Sequence, residues 1–163
     1  MADLRPIPAL RYREPLGPVV APPYDVIPED QLPAWRSRSP HNVIRLTRPG
    51  DDYAGAARLL SEWSASGVLA EDEPSMYLHE TEFGGSLRRD LVAGLRLQPY
   101  EEGVVLPHER THRGPKEDRL ALFRATLASL EPLWFLYEGR GTELPGLLAV
   151  GFSAPPELEY EFG

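Results

Sequence analysis

Ser75-Met76-Tyr77-Leu78-His79-Glu80-Thr81-Glu82-Phe83, followed by Gly84-Gly85 and then by Arg89 to Leu97, is the stretch on which the fold class turns. Its first part alternates, with Met76, Leu78 and Glu80 on one side, as a half-buried strand does. Two consecutive glycines supply the positive φ angles of a tight two-residue turn. The segment after the turn alternates in part and should pair antiparallel with the first.

Outward from this hairpin, the chain alternates between helical and extended patterns. Residues 51–66 predict a helix, with Asp51 or Asp52 at its cap and Gly67 at its end. Tyr53, Ala56, Ala57, Leu60, Trp63 and Ser64 fall on one stripe. Residues 116–130 predict a second amphipathic helix, with Leu120, Phe123, Leu127 and Leu130 facing inward and Pro115 at its first turn. Shorter helices are expected over 29–36 and 143–149. Val19-Val20-Ala21, Asn42 to Leu46, and a segment near 158–162 read as strands. The apolar run Leu133-Trp134-Phe135-Leu136-Tyr137 reads as a central strand. Val68 to Pro74 reads as a loop. The expected fold is α+β: a mixed, largely antiparallel sheet with two main amphipathic helices. One domain is expected over 1–163.

Composition narrows the function classes. The chain has 163 residues, 42% of them hydrophobic and 26% charged, as in ordinary globular proteins. Its 18 prolines and 14 glycines argue for short elements and shaped loops rather than a helix bundle. With no cysteine, a disulfide framework, an iron–sulfur cluster, a thiol nucleophile and a Cys-ligated zinc are excluded. The net charge of −8 divides into +2 over residues 1–50 and −10 over 51–163, so a general grip on nucleic acid is not expected. No apolar run approaches the roughly 18 residues of a membrane span. The first residues lack the apolar stretch of a signal peptide. A soluble cytoplasmic protein is expected, with a small molecule as its partner and homo-oligomerisation left open.

Four segments could carry chemistry. His108-Glu109-Arg110-Thr111-His112 has the spacing at which two imidazoles on a helix hold Zn²⁺ and the glutamate deprotonates bound water, with Glu131 as a third ligand. Pro107 and Gly114-Pro115 bracket that motif and leave room for under two helical turns; a solvated charged loop is the plainer alternative. The wider segment His108 to Arg119 brings together His108, Glu109, Thr111, His112, Arg113, Lys116, Asp118 and Arg119 at the opening of a helix. This set can position a phosphate or carboxylate and move a proton; solvated charges at a helix end are again the alternative. In Ala21-Pro22-Pro23-Tyr24-Asp25-Val26-Ile27 two prolines hold the chain extended and aim Tyr24 and Asp25, either as a site wall or as a rigid turn. Arg45, within Asn42 to Leu46, needs a partner in an apolar strand, such as Asp25 or Glu109. There is no Gly-rich phosphate loop, no G-x-S-x-G and no dinucleotide fingerprint.

Taken in order, Ala-Pro-Pro-Tyr-Asp-Val-Ile at 21–27, Asn-Val-Ile-Arg-Leu at 42–46, the strand around Tyr77, His-Glu-x-Thr at 108–111, Lys-x-Asp-Arg at 116–119 and Pro-Leu-Trp-Phe-Leu-Tyr at 132–137 resemble the family known as domain of unknown function 1015. The resemblance covers roughly residues 5 to 163. It implies a longer architecture whose second part carries Gly-His-His-Arg-Tyr, similar to the phosphate-binding motif of the ParB/sulfiredoxin superfamily, which includes free serine kinases. That motif is absent here, so the resemblance implies the N-terminal portion of an incomplete ParB/sulfiredoxin-like unit, inactive alone. By the same resemblance Glu109 and His108 are the catalytic candidates. Lys116, Arg119, Thr111 and Asp118, with Pro22, Pro23, Tyr24 and Asp25 as a second wall, are candidates for binding substrate or phosphate, with ATP or ADP and Mg²⁺ as cofactor; Arg45 joins the binding candidates from its place in the apolar stretch. The function expected is a nucleotide-dependent small-molecule kinase module. A non-catalytic ligand- or partner-binding scaffold and a zinc-dependent hydrolase using His108-Glu109-x-x-His112 are the alternatives, and whether the chain is an enzyme stays open.

Overall fold

A computed structural model describes residues 2–13, 15–107, 113–137 and 143–161. Among these residues six strands and six helices follow in chain order: β1 (Leu4–Arg5), β2 (Leu10–Tyr12), α1 (Leu16–Val19), α2 (Leu32–Arg38), α3 (Ile44–Thr47), α4 (Tyr53–Ala65), β3 (Leu69–Glu71), β4 (Tyr77–Phe83), β5 (Ser86–Val92), β6 (Gly94–Leu95), α5 (Arg113–Thr126) and α6 (Leu144–Gly151). Short 3₁₀ turns cover Glu29–Gln31 and Tyr100–Glu102. The class is α+β, with α4 and α5 the two main helices. All strand pairing among the described residues is antiparallel, in three two-stranded ribbons. Among those residues no helix is long and apolar enough to cross a membrane.

The chain divides into two compact units. One comprises Met1–Ala9, Glu73–Leu106 and Leu133–Glu161. Here β4 and β5 form the hairpin that the alternation predicts, in unbroken register from Tyr77↔Val92 to Phe83↔Ser86. Gly84 and Gly85 have φ of 57° and 75°, the left-handed pair that a two-residue turn requires. Glu80 faces Arg89 across the ribbon and its carboxylate accepts from Arg89 Nε at 2.8 Å. The end of α6 lies so close to β4 that a Cβ on Gly151 would stand 2.2 Å from Leu78 Cδ1. β1 pairs with β6, and Ile7 and Ser75 exchange backbone bonds of 2.9 and 3.0 Å.

The run 133–137 is not a central strand. It has no regular structure, and its five side chains are exposed. An apolar run of this length cannot be assigned by periodicity alone. Trp134 instead lies under the Arg88 guanidinium, 4.6 Å from the ring centroid. Residues 158–161 form no strand either.

The second unit holds Leu10–Asp72 and Pro107–Pro132. Its main core is Leu46, Leu60, Trp63 and Leu69, flanked by Tyr12, Leu59, Val68, Ala128 and Leu130. Removing each large apolar side chain from water is worth about 1.5–3 kcal/mol. Trp63 is packed by the His41 ring edge-on at 5.6 Å and by Tyr12 at 6.0 Å. α4 supplies the stripe expected of it, burying Ala56, Leu60 and Trp63, and Asp52 caps it by accepting from Gly55 N at 2.8 Å. A smaller cluster joins Ile27, Leu32 and Ile44, with Ala21 and Trp35 against it.

Four expectations are corrected in this unit. Val19 ends a helical turn rather than opening a strand, and Ile44–Thr47 is a helical turn as well. The cause is Asn42, whose side chain is wholly buried. Its Nδ2 donates to the carbonyls of Pro18 (2.8 Å) and Val20 (3.0 Å), and its Oδ1 accepts from Ile44 N (3.1 Å). Bonds that a strand would give to a neighbouring strand go here to one side chain. Third, residues 69–71 are not loop but β3, paired with β2. Fourth, α5 begins earlier than expected and buries Leu122; Leu120, Phe123 and Leu127 are exposed. The helix is rotated by the engagement of Arg119. It ends at Leu127, which takes a left-handed φ of 53°.

Candidate functional site

Arg119, on α5, organises the polar centre of the second unit. Its Nε and one terminal nitrogen both donate to Asp118 Oδ2, at 2.8 and 2.5 Å. The other terminal nitrogen donates to the Thr47 carbonyl at 2.8 Å and stands 3.6 Å from Glu131 Oε2. The face of the guanidinium lies 4.1 Å from the centroid of Tyr24. A planar cation with a forked donor set can serve two carboxylates, a carbonyl and a ring at once, whereas an ammonium cannot. Tyr53 Oη donates to Asp118 Oδ1 at 2.7 Å, and Tyr24 N donates to Glu131 Oε1 at 3.2 Å. Arg48 closes the Tyr24 corner from behind: one nitrogen donates to the Tyr24 carbonyl at 2.6 Å and the other pairs with Glu29.

The proline-stiffened corner and the middle of α5 are therefore in contact through Tyr24 and Arg119. Asp118 belongs to the same cluster. Asp25 is exposed and makes no hydrogen bond to a described residue. Lys116 is also exposed and forms no ion pair among the described residues. Arg45 does not meet Asp25. It donates to the Arg36 carbonyl at 2.8 Å, while Arg36 donates to the Arg48 carbonyl at 2.7 Å. Carbonyls left over at the ends of short helices satisfy these arginines, and Arg45 Nε is buried without a partner among the described residues; Glu109, the other partner expected for it, lies outside them. His108, Glu109, Thr111 and His112 lie outside the described residues, and with them the zinc reading. Among the described residues no group of three or more His, Asp or Glu could hold a metal ion.

Two of the participants could be anticipated only weakly. Tyr53 lies on the α4 stripe and reads as core. Arg48 stands before Pro49 in a stretch that reads as a strand end. Glu131 enters sequence reasoning only as a metal ligand; its carboxylate instead binds a backbone amide and Arg119.

The two carboxyl groups are driven in opposite directions. Burial pushes Glu131 above its ordinary value of 4.5, and the nearby Asp25 adds to this; the Tyr24 amide and Arg119 oppose it without prevailing. Burial also works to raise Asp118, but hydrogen bonds from Tyr53 and Arg119, with the charges of Arg119 and Arg48, hold it below its ordinary 3.8. The Tyr53 hydroxyl is raised, chiefly by its bond to Asp118. Folded Glu131 binds its proton more tightly than the unfolded chain does. Its contribution to stability is therefore full below 4.5 and lost as pH rises through the raised folded value. The Asp118 contribution is present above 3.8 and lost as pH falls through the lowered value. Urea denaturation from pH 3 to 7 should show both arms, each with a slope of at most about 1.4 kcal/mol per pH unit. In Glu131→Gln the loss on the neutral side should disappear while the acid loss remains; an unchanged neutral side would refute the assignment.

No curated protein and no solved structure matches the chain. The family model described as "Protein of unknown function (DUF1015)" matches residues 4–162. With nearly every residue inside that match, the chain belongs to the DUF1015 family.

Proposed function

We propose that the Arg119 cluster is one wall of a small-molecule site and that its chemistry is that of a nucleotide-dependent, free-serine-like kinase module. The observation that supports this reading most is the divergence of Glu131 and Asp118 on one guanidinium. Two acidic groups whose surroundings push them apart can divide proton acceptance and charge stabilisation between them. On this reading Glu131 joins Glu109 and His108 as a group able to take a proton from a substrate hydroxyl. Arg119 positions Tyr24, Asp118 and Glu131. Lys116 and Asp25, a cation and a carboxylate, form no hydrogen bond or ion pair among the described residues. They fit the needs of a nucleotide phosphate and of Mg²⁺, an ion held by phosphates and only one or two carboxylates. The bound nucleotide would supply the transferable phosphoryl group. The chain then acts as one domain, the N-terminal part of a ParB/sulfiredoxin-like unit whose Gly-His-His-Arg-Tyr motif completes the phosphate contacts.

A thermal-shift series with ATP and ADP, each with Mg²⁺, tests this. A ligand at about 100 times its Kd stabilises the folded state by about 2.7 kcal/mol. For a chain of this size that raises Tm by roughly 5–10 °C. Lys116→Ala and Asp25→Asn should reduce the rise while leaving the ligand-free Tm in place. Absence of any rise at millimolar nucleotide would overturn the proposal. One observation favours the non-catalytic scaffold as a second reading: Arg119 is already neutralised by its own carboxylates. A rise in Tm with a small carboxylate or other small molecule, and none with nucleotide, would select that reading.

A further inference from the structure

The β4–β5 hairpin is a two-stranded ribbon, and such ribbons are marginal in water unless more strands or a helix are added. One face is covered in part by the end of α6, where Arg89 lies 4.8 Å over Phe152 and Leu78 touches Gly151. On the other face Trp134 lies under Arg88. The outer edge of β5 has no backbone partner among the described residues.

The register fixes which groups that edge presents. Phe83 and Ser86 flank the two-residue turn and form a hydrogen-bonded pair, so bonding alternates along the ribbon. Ser86, Arg88, Asp90 and Val92 spend their amides and carbonyls on β4. Leu87, Arg89 and Leu91 point theirs outward. An isologous pairing of two β5 strands must therefore match odd residues with odd residues. Centred on Arg89, it sets Leu87 opposite Leu91 of the second copy. Arg88, which within its own strand donates to Asp90 at 2.8 Å, then also faces Asp90 of that copy, twice over by symmetry, so that the four charges alternate in sign. Arg88 faces Ser86 when the centre moves to Leu87, and Asp90 faces Val92 when it moves to Leu91, so only the Arg89 register matches both charges. Its one like-charge apposition, Arg89 against Arg89, is offset because each is already paired with Glu80 at 2.8 Å. Leu87, more than half exposed, gains cover from Leu91.

The geometry points to self-association: two copies of this chain join their β5 edges antiparallel about Arg89, making a four-stranded sheet in the order β4-β5-β5-β4. Charges that usually guard an edge are here complementary to themselves. The surface lies in a different unit from the Arg119 cluster and stands independently of it.

Analytical ultracentrifugation of the full chain over rising concentration should show a monomer–dimer equilibrium. Arg88→Asp alone, or Asp90→Arg alone, turns two attractive cross-copy pairs into repulsive ones and should weaken the dimer about tenfold; because each also breaks the Arg88–Asp90 bond within one strand, unfolding of the monomer is measured beside it and should change far less. The double variant R88D/D90R restores the match and should restore the dimer. Amide exchange on the unmodified protein gives a second test that no folding defect can confuse. Amides of Leu87, Arg89 and Leu91 should slow as the dimer forms, while those of Arg88 and Asp90 do not change. A chain that stays monomeric with fast exchange at these three residues would overturn the inference. So would a dimer indifferent to both single reversals, or an edge protected only when a foreign extended peptide is added.

Discussion

Asn42→Ala is expected to cost about 2–4 kcal/mol of folding stability. The side chain is fully buried and makes three hydrogen bonds, to the carbonyls of Pro18 and Val20 and from the Ile44 amide. Alanine leaves two acceptors and a donor with no partner where water cannot reach easily, and each such group carries a penalty of about 1–3 kcal/mol. Relaxation recovers part of the sum. The substitution also unties α3 from the segment ending α1, since Val43 N donates to Val19 O at 2.7 Å just beside the clamp. Asn42→Asp should be no better. A carboxylate keeps the shape but cannot donate to two carbonyls, and it places a charge in a site with no exposure. Urea denaturation of the three proteins checks this; a loss below about 1 kcal/mol for alanine would refute the clamp.

Arg119→Ala should cost about 1.5–3 kcal/mol, less than a fully buried charge cluster would, because Arg119 remains a quarter exposed. The loss has three sources: the bond to the Thr47 carbonyl, the stacking on Tyr24, and the stranding of Asp118 and Glu131 as neighbouring acids. Arg119→Lys keeps the charge but not the fork, and should recover less than half of the loss. Asp118 should then titrate closer to its ordinary value, since it loses both donors that Arg119 gives it. Denaturation midpoints report the first effect and NMR titration of the carboxyl the second. A lysine variant as stable as the parent would show that charge alone matters at this position.

Part of this arrangement could be read before any coordinates, and the reasons are local. The β4–β5 ribbon and α4 carry their own signals: alternation closed by Gly84-Gly85, and a stripe at spacings of three and four begun by Asp52. Those signals depend on residues close in sequence, so tertiary contacts did not overrule them. Asn42 to Leu46 misled because its apolar residues suit a strand as well as a helical turn. The deciding bonds run from Asn42 to Pro18 and Val20, some two dozen residues away. α5 exists where a helix is expected but begins three residues earlier and ends four earlier, and its buried face differs. Its four apolar positions suggested an inward face, while Arg119, drawn to Thr47, Asp118, Tyr24 and Glu131, set the rotation and left Leu122 inside. The meeting of Tyr24 with the Lys-x-Asp-Arg segment was legible as an order of motifs. The part played by Glu131 was not, since a lone acid beside a proline carries no pattern.

The two apolar clusters of the second unit have different schedules during synthesis. Ile27, Leu32 and Ile44, with Ala21 and Trp35, are complete once about the first third of the chain has left the ribosome. The cluster around Trp63 waits for Ala128 and Leu130, and the Tyr24 corner waits for Arg119 and Glu131. Between these deadlines Glu73–Leu106, the hairpin segment of the other unit, must emerge as an inserted loop. Contacts of such long sequence separation form slowly, so the Trp63 cluster stays open on the side of Ala128 and Leu130 until those residues have emerged.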